Sequence, residues 1–337
     1  MNSPPLTALK NWFASVFPTE LGRRSELASA LAMVHYKLDI IERQNINLMR
    51  QTLTPPEVLW QGTPTLLQAG APEEMIFSNG QLCRANSFRQ PYFSYWTQEL
   101  RDNLRYHRKL WEFVFVCQAL YERGMIAEGK RGLGFAVGTE PLSSYFASKG
   151  CEVVGTDMDI EAAAAAGWTD SPQHASGLAQ MHRADICPLD VFEKRASFRV
   201  VDMNHVPDDL TDFDFCWSAC AFEHLGTIDK GLAFVERSIQ TLKVGGYAVH
   251  TSEYNLTSND ETITEGPMVL FRRRDYEDLM TRVRAAGHEI TPIDFHPGYG
   301  HVDRHIDLPP FADNLHLKAQ LIGWAFTSIG FVIRRMH

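Results

Sequence analysis

Several absences narrow this chain before any motif is read. Its six cysteines form no C-x-x-C pair and sit mostly in apolar strand or helix contexts, as Cys117, Cys151, Cys216 and Cys220 do. A disulfide framework is not expected, and the expected compartment is reducing, the cytoplasm. No apolar run approaches the ~18 residues that a membrane span needs. The first eighteen residues, MNSPPLTALKNWFASVFP, hold prolines and one lysine but no continuous apolar signal core. Positive charge is scarce: 32 Lys and Arg against 41 Asp and Glu give a net charge of −9. Such a surface disfavours nucleic acid, whose phosphates ask for a basic face. The one basic cluster, Arg272-Arg273-Arg274, precedes an acidic helix and reads as a helix-start surface feature. Repeats and low-complexity tracts are missing. So are a full G-x-G-x-x-G and any G-x-x-x-x-G-K-[ST], so neither a dinucleotide fingerprint nor a phosphate loop is present.

The segment Lys130 to Asp159 carries the most information. Gly132 to Val137 reads as a buried strand that ends in Gly138. A helical pattern follows through Leu142, Tyr145 and Phe146, with Gly150 just past its end. A second apolar run ends in Asp157. Strand, tight turn, helix and acid-tipped strand suit a nucleoside, because glycine lets backbone approach the ligand and the acid can accept both ribose hydroxyls. Glu140 beside the turn would repel a diphosphate. A cationic nucleoside without phosphate, S-adenosyl-L-methionine, fits better.

Three further segments follow in order: FRVVDMNHVPDDL, a strand ending in Asp202; TDFDFCWSACAFEHLG, a buried strand followed by small residues and Glu223-His224; and LKVGGYAVHTSEYN, a helix end, a Gly245-Gly246 turn and another strand. From Trp111 to Asn255, and more loosely to His337, this ordered set resembles the class I S-adenosylmethionine-dependent methyltransferases. The resemblance implies a doubly wound, mostly parallel seven-stranded α/β sheet of the Rossmann-like methyltransferase type, whose last strand is antiparallel. It also implies roles for residues. Gly134, Ala136, Gly138 and Thr139 would line the methionine part of the cofactor. Asp157 would bind the ribose, Met158 would pack on the adenine, Asp202 would accept the adenine amino group, and Met203 would supply a backbone contact. Ser218, Ala219 and Cys220 would lie beneath the sulfonium. The family often has an acid at the position of Gly134 and glycines at those of Ala136 and Glu140. The contact to the methionine amino group is therefore expected from elsewhere, with Glu140 itself the candidate.

Residues 1–93 read as a helical N-terminal extension, a candidate dimerisation element or lid. Within it, Leu27, Leu31, Val34, Leu38, Ile41, Asn45 and Leu48 form a heptad seam over residues 25–52, through which a homodimer could form. Residues 55–93 read as loops with short elements, and 94–124 as one long helix. Residues 94–337 are expected to form the catalytic domain, with lid loops at about 255–270 and 296–315. Transfer to a hydroxyl needs a base. His224 is the first candidate, Glu223 could orient it, and Glu253 closes the fifth strand near the acceptor. His250 reads as a core histidine. His296, His301 and His305, with Asp303 and Asp307, could bind a metal but lack a recognised spacing, so they read as a polar lid and no metal ligand is assigned. The expected reaction is methyl transfer to a small-molecule hydroxyl, such as that of a sugar or glycan, without nucleic acid or membrane as partner. A small-molecule amine acceptor, a nicotinamide-dependent oxidoreductase and a non-catalytic cofactor-binding module are the other readings.

Overall fold

Short apolar runs alternating with amphipathic segments build a sheet covered on both faces. The computed structural model of the chain describes residues 64–67, 72, 76–161 and 174–337, with isolated positions between 30 and 41. The described chain runs β1 (Gly80–Leu82), α1 (Pro91–Glu99), α2 (Arg108–Tyr121), β2 (Arg131–Phe135), α3 (Leu142–Ser148), β3 (Glu152–Asp157), α4 (Leu189–Arg195), β4 (Ala196–Val200), β5 (Phe213–Ala219), α5 (Ile228–Ile239) and β6 (Leu242–Asn255). It continues with α6 (Arg273–Ala285), β7 (Glu289–Ile290), β8 (Ile293–Asp294), a one-turn helix His301–Arg304, β9 (Lys318–Leu321) and β10 (Trp324–Arg334). The sheet order is β4-β3-β2-β5-β6-β10-β1-β8, with β7 and β9 also paired to β10. Strands β2 to β6 are parallel, and β10 runs antiparallel to β6, as expected of the last strand.

Alternation along the strands divides the core. Phe215, Trp217, Val249 and Val332 face α1, α2 and α3 with Trp96, Trp111, Phe115 and Phe146. Cys216, Ala248, Phe331 and Ile333 face the other way, toward α5 and α6 with Phe234, Val235 and Leu279. This is the period of two that a sheet buried on both faces requires.

Four expectations need correction. The helix expected over 94–124 is two helices. The chain leaves α1 at Arg101, whose φ of 53° is left-handed, and Asp102 accepts from the Asn103 amide and from Arg105. Helix α2 restarts at His107, whose Nδ1 accepts from the Lys109 amide. The Gly245-Gly246 turn is instead part of β6, because both glycines hydrogen-bond to Arg335 and so carry the pairing onward. The strand expected over 289–295 is split into β7 and β8, which pair with different strands. Finally, β1 belongs to the region read as an extension, yet it joins β10 in the same sheet, so the folded unit starts before residue 94. Most of the heptad seam lies outside the described residues. Leu31, Val34, Leu38 and Ile41, which are described, are helical and exposed.

Gly330 lets α2 lie close on β10. A Cβ there would come within 2.6 Å of the Phe115 ring. Gly330→Ala is expected to destabilise the fold by about 1–3 kcal/mol through overpacking. Urea unfolding checks this, and an unchanged midpoint would mean that α2 can move off the sheet freely.

Candidate functional site

The sheet reverses its winding at β2, whose two neighbours β3 and β5 are reached in opposite directions. Ligands bind outside the carboxyl ends of strands at such a point. A cavity of about 380 Å³ lies there, walled by residues that follow β2, β3, β4 and β5 and by the first turn of α2.

Asp157 closes β3 and is 6% exposed on the cavity wall. Its Oδ2 accepts from the amides of Gly138 and Ala175, both at 3.1 Å, and its Oδ1 accepts from the Met158 amide at 2.8 Å. Burial pushes its carboxyl up, against those three amides. One carboxylate thus fixes the turn after β2 to the chain beyond β3. Of the other residues expected at a cofactor, Ala136, Thr139, Glu140, Met158, Asp202, Met203, Ala219 and Cys220 line the cavity.

Gly134, Gly138 and Ser218 are not on that wall. Gly134 is small for packing: a Cβ there would lie 2.4 Å from the Trp217 ring and from Val137. Gly138 takes a left-handed φ of 48° and offers its amide to Asp157. Ser218 is fully buried and bonds His250 Nδ1 at 2.8 Å. His250 bonds Ser238 through its other nitrogen at 2.9 Å, and burial lowers its pKa to about 3, as suits a core histidine. Ala136 stands at a φ of 49°, a conformation that favours glycine.

Glu140 reaches the cavity and accepts from Trp217 Nε1 at 2.6 Å. Burial pushes its carboxyl up to about 8. Asp202 has one oxygen on the Asn204 amide and the other on His205 Nδ1, both at 2.8 Å.

His224 lines the cavity from the turn Phe222–His224. Its Nδ1 donates to the Pro267 carbonyl at 2.9 Å, so the lone pair of the neutral ring sits on Nε2. Burial pushes its pKa down and keeps it neutral near pH 7. The loop at about 255–270 holds this turn: Gly266 bonds Gly226, and Val269 bonds Glu223.

Glu223 and Glu253 do not line the cavity; they are 0% and 3% exposed. They join a buried charged group that sequence reasoning missed. Arg108 pairs with Glu253 at 2.7 Å and with Glu112 at 3.2 Å, and Lys109, on the cavity wall, pairs with Glu112 at 3.1 Å. Cys220, left-handed at a φ of 52°, directs its thiol to Glu112 at 2.9 Å. The available signal was the spacing Arg108-Lys109-x-x-Glu112 on an otherwise apolar helix. Tyr106 and Trp111, which flank Arg108 and Lys109 in the sequence, are buried in the hydrophobic core.

The loop at about 296–315 braces α2 rather than gathering its histidines. His316 exchanges backbone bonds with Tyr106 and Arg108 and stacks on His107 at 4.8 Å, while His296 packs on Tyr299 at 3.7 Å. Among the described residues, no metal-sized grouping involves His296, His301 or His305.

No family model matches the sequence, and no curated protein does. Solved structures do match. Magnesium protoporphyrin IX methyltransferase from Synechocystis PCC 6803, with bound S-adenosylhomocysteine, is 10% identical over 65% of this chain and 80% of its own, with a TM-score of 0.40. An S-adenosylmethionine-dependent methyltransferase from Clostridium acetobutylicum ATCC 824 is 10% identical over 66% and 90%, at 0.38. The [4+2]-cyclase SpnF is 18% identical over 65% and 82%, also at 0.38. Superposition at these scores is loose. The fold rests on the strand order and pairing of this chain itself, a doubly wound α/β sheet with an antiparallel final strand.

Among the described residues, no helix is long and apolar enough to cross a membrane. All six cysteines are buried and free.

Removing Glu112 would leave Arg108 and Lys109 facing each other without their shared acid. Glu112→Ala is therefore expected to cost about 3–5 kcal/mol of stability. Thermal and chemical unfolding check this, and a loss under about 1 kcal/mol would mean that both cations find solvent easily.

Proposed function

We propose that the chain is an S-adenosylmethionine-dependent methyltransferase acting on the hydroxyl of a small molecule. The observation that carries this reading is Asp157, buried on the cavity wall and tied to the turn amide of Gly138 at the switch point of the sheet. The chemistry of the wall suits the cofactor group by group. Asp157 would hold the ribose diol. Glu140 would meet the methionine ammonium, whose charge favours the ionised carboxylate. Lys109 would face the methionine carboxylate. Asp202 has one oxygen on the Asn204 amide and the other on His205, and each keeps a second lone pair with which it would accept the adenine amino group beside Met203.

When bound, the sulfonium supplies an activated methyl group. The chain's own residues do the rest. The wall holds the acceptor oxygen in line and keeps water away. His224 Nε2 takes the hydroxyl proton as the oxygen becomes a nucleophile, and the Pro267 carbonyl holds the ring in the required tautomer. Lys109 keeps positive charge at the cavity edge, anchored by Glu112. A hydroxyl acceptor, a sugar or glycan hydroxyl among them, is favoured over an amine because a neutral, oriented imidazole is what an oxygen needs and an amine does not.

The proposed biological partner at the heptad seam is a second copy of the chain, since Leu31, Val34, Leu38 and Ile41 keep heptad spacing and are exposed. Free buried thiols suit the cytoplasm as the proposed location.

Calorimetric titration with S-adenosylmethionine, with NADH as the control, tests the cofactor. Binding of the sulfonium alone is expected, and binding of NADH instead would overturn the reading. Asp157→Ala should weaken cofactor binding by roughly 1.5–3 kcal/mol, the worth of charge-assisted hydrogen bonds. His224→Ala should leave binding intact and slow turnover by about 10²–10⁴-fold. Light scattering should find a dimer that is lost when residues 1–55 are removed; a persisting dimer would place the interface elsewhere.

A further inference from the structure

The edge of the cavity holds more acid than methyl transfer uses. Cys220 follows β5, Glu223 sits in the next turn, and Glu253 lies near the end of β6. Cys220 Sγ and one carboxylate oxygen from each glutamate fall within 4.8 Å of one another. Both carboxylates are more than nine-tenths buried. Each has one oxygen occupied: Glu223 Oε2 accepts from Ser252 Oγ at 2.9 Å, and Glu253 Oε1 pairs with Arg108 at 2.7 Å. The other two, Glu223 Oε1 and Glu253 Oε2, are buried with no hydrogen-bond partner. A buried acceptor left so costs about 1–3 kcal/mol, and more when it is charged.

The charge count points the same way. Arg108 and Lys109 are the cations at this cluster, and they are engaged by Glu112 and by one oxygen of Glu253. Glu223 and the second oxygen of Glu253 have no cation of their own. Three carboxyl groups, those of Glu112, Glu223 and Glu253, thus gather beside two cations and the Cys220 sulfur. The left-handed backbone at Cys220 holds the sulfur beside this group, and such strain persists where the surroundings enforce it.

We infer that Cys220, Glu223 and Glu253 form a divalent transition-metal site at the cavity edge. One sulfur and two carboxylate donors suit Zn²⁺, Co²⁺ or a neighbouring first-row ion, rather than Mg²⁺ or Ca²⁺, which prefer oxygen alone. On binding, the Cys220 S–H bond breaks, a sulfur–metal bond forms, and the proton goes to solvent. The ion reaches the site through the cavity, whose wall includes Cys220. Three protein donors leave a coordination position for water or an acceptor oxygen, the arrangement of catalytic rather than structural zinc. Metal binding here does not depend on methyl transfer, and its test needs no turnover.

The test uses the full-length, tag-free protein after chelator treatment, titrated with Co²⁺ alone. One equivalent should bind with a sulfur-to-cobalt charge-transfer band, and Zn²⁺ should displace it. Cys220→Ser should abolish the band. Glu253→Gln should weaken uptake by more than the roughly 10–100-fold that loss of an outer partner costs. Unfolding midpoints without metal show whether each variant is folded, and the wild-type titration stands by itself if one is not. Wild-type protein that takes up no Co²⁺ would overturn the site. So would a band that survives in folded Cys220→Ser. Cofactor calorimetry on the chelated protein separates this outcome from failure of the methyl-transfer reading, because the proposed ribose contact at Asp157 and ammonium contact at Glu140 involve none of the three ligands.

Discussion

One guanidinium joins the parts that make the cavity. Arg108 opens α2, reaches Glu253 on β6, and shares Glu112 with Lys109. Its own amide bonds His316 from the loop after β8. A helix, the sheet and a distant loop therefore meet at one charged side chain beneath apolar surroundings. Such a group is costly to bury and costlier to break, since removing one partner strands the others. Its geometry is narrow as a result, and Lys109 inherits a fixed place on the wall. The close seat of α2 on β10, made by Gly330, belongs to the same arrangement.

Another part of the wall is held differently. Asp157 gathers three backbone amides, and these set the turn after β2 against the segment after β3. The two parts differ in what holds them. One is held by paired charges, and the other by a single acid collecting amides. Between them His224 is held by a carbonyl from a third place, the loop that carries Pro267. Each functional group is thus oriented by a contact distant in sequence.

This explains what was legible in the chain and what was not. Strand ends were legible because buried parallel strands are short apolar runs: Asp157 closes β3, while β4 stops at Val200, two residues before the Asp202 expected to end it. His250 was legible as a core residue because it lies inside such a run. Glu223 and Glu253 could be placed at strand ends, but their burial could not, since it depends on Arg108 arriving from elsewhere. The break between α1 and α2 was hidden because Trp96, Leu100 and Leu104 keep a helical period through it, while the Asp102 turn overrides that period. Gly134 and Gly138 read alike as glycines near a ligand. Only the Trp217 ring shows that the first serves packing. The pairing of β1 had no local sign at all, because three residues of strand carry no period.

That pairing bears on how the molecule is assembled in time. Gln81 lies opposite Gly330, and β10 is the inner neighbour that β1 shares with β6. Contacts so far apart along a chain slow folding, because closing the loop precedes any reward. A growing polypeptide would have β2 to β6 ready while β6 still showed a bare hydrogen-bonding edge. Until β10 emerges, that edge is open to other chains. Conditions that delay synthesis of the stretch between β6 and β10 would therefore tell on yield before they told on the stability of the folded protein.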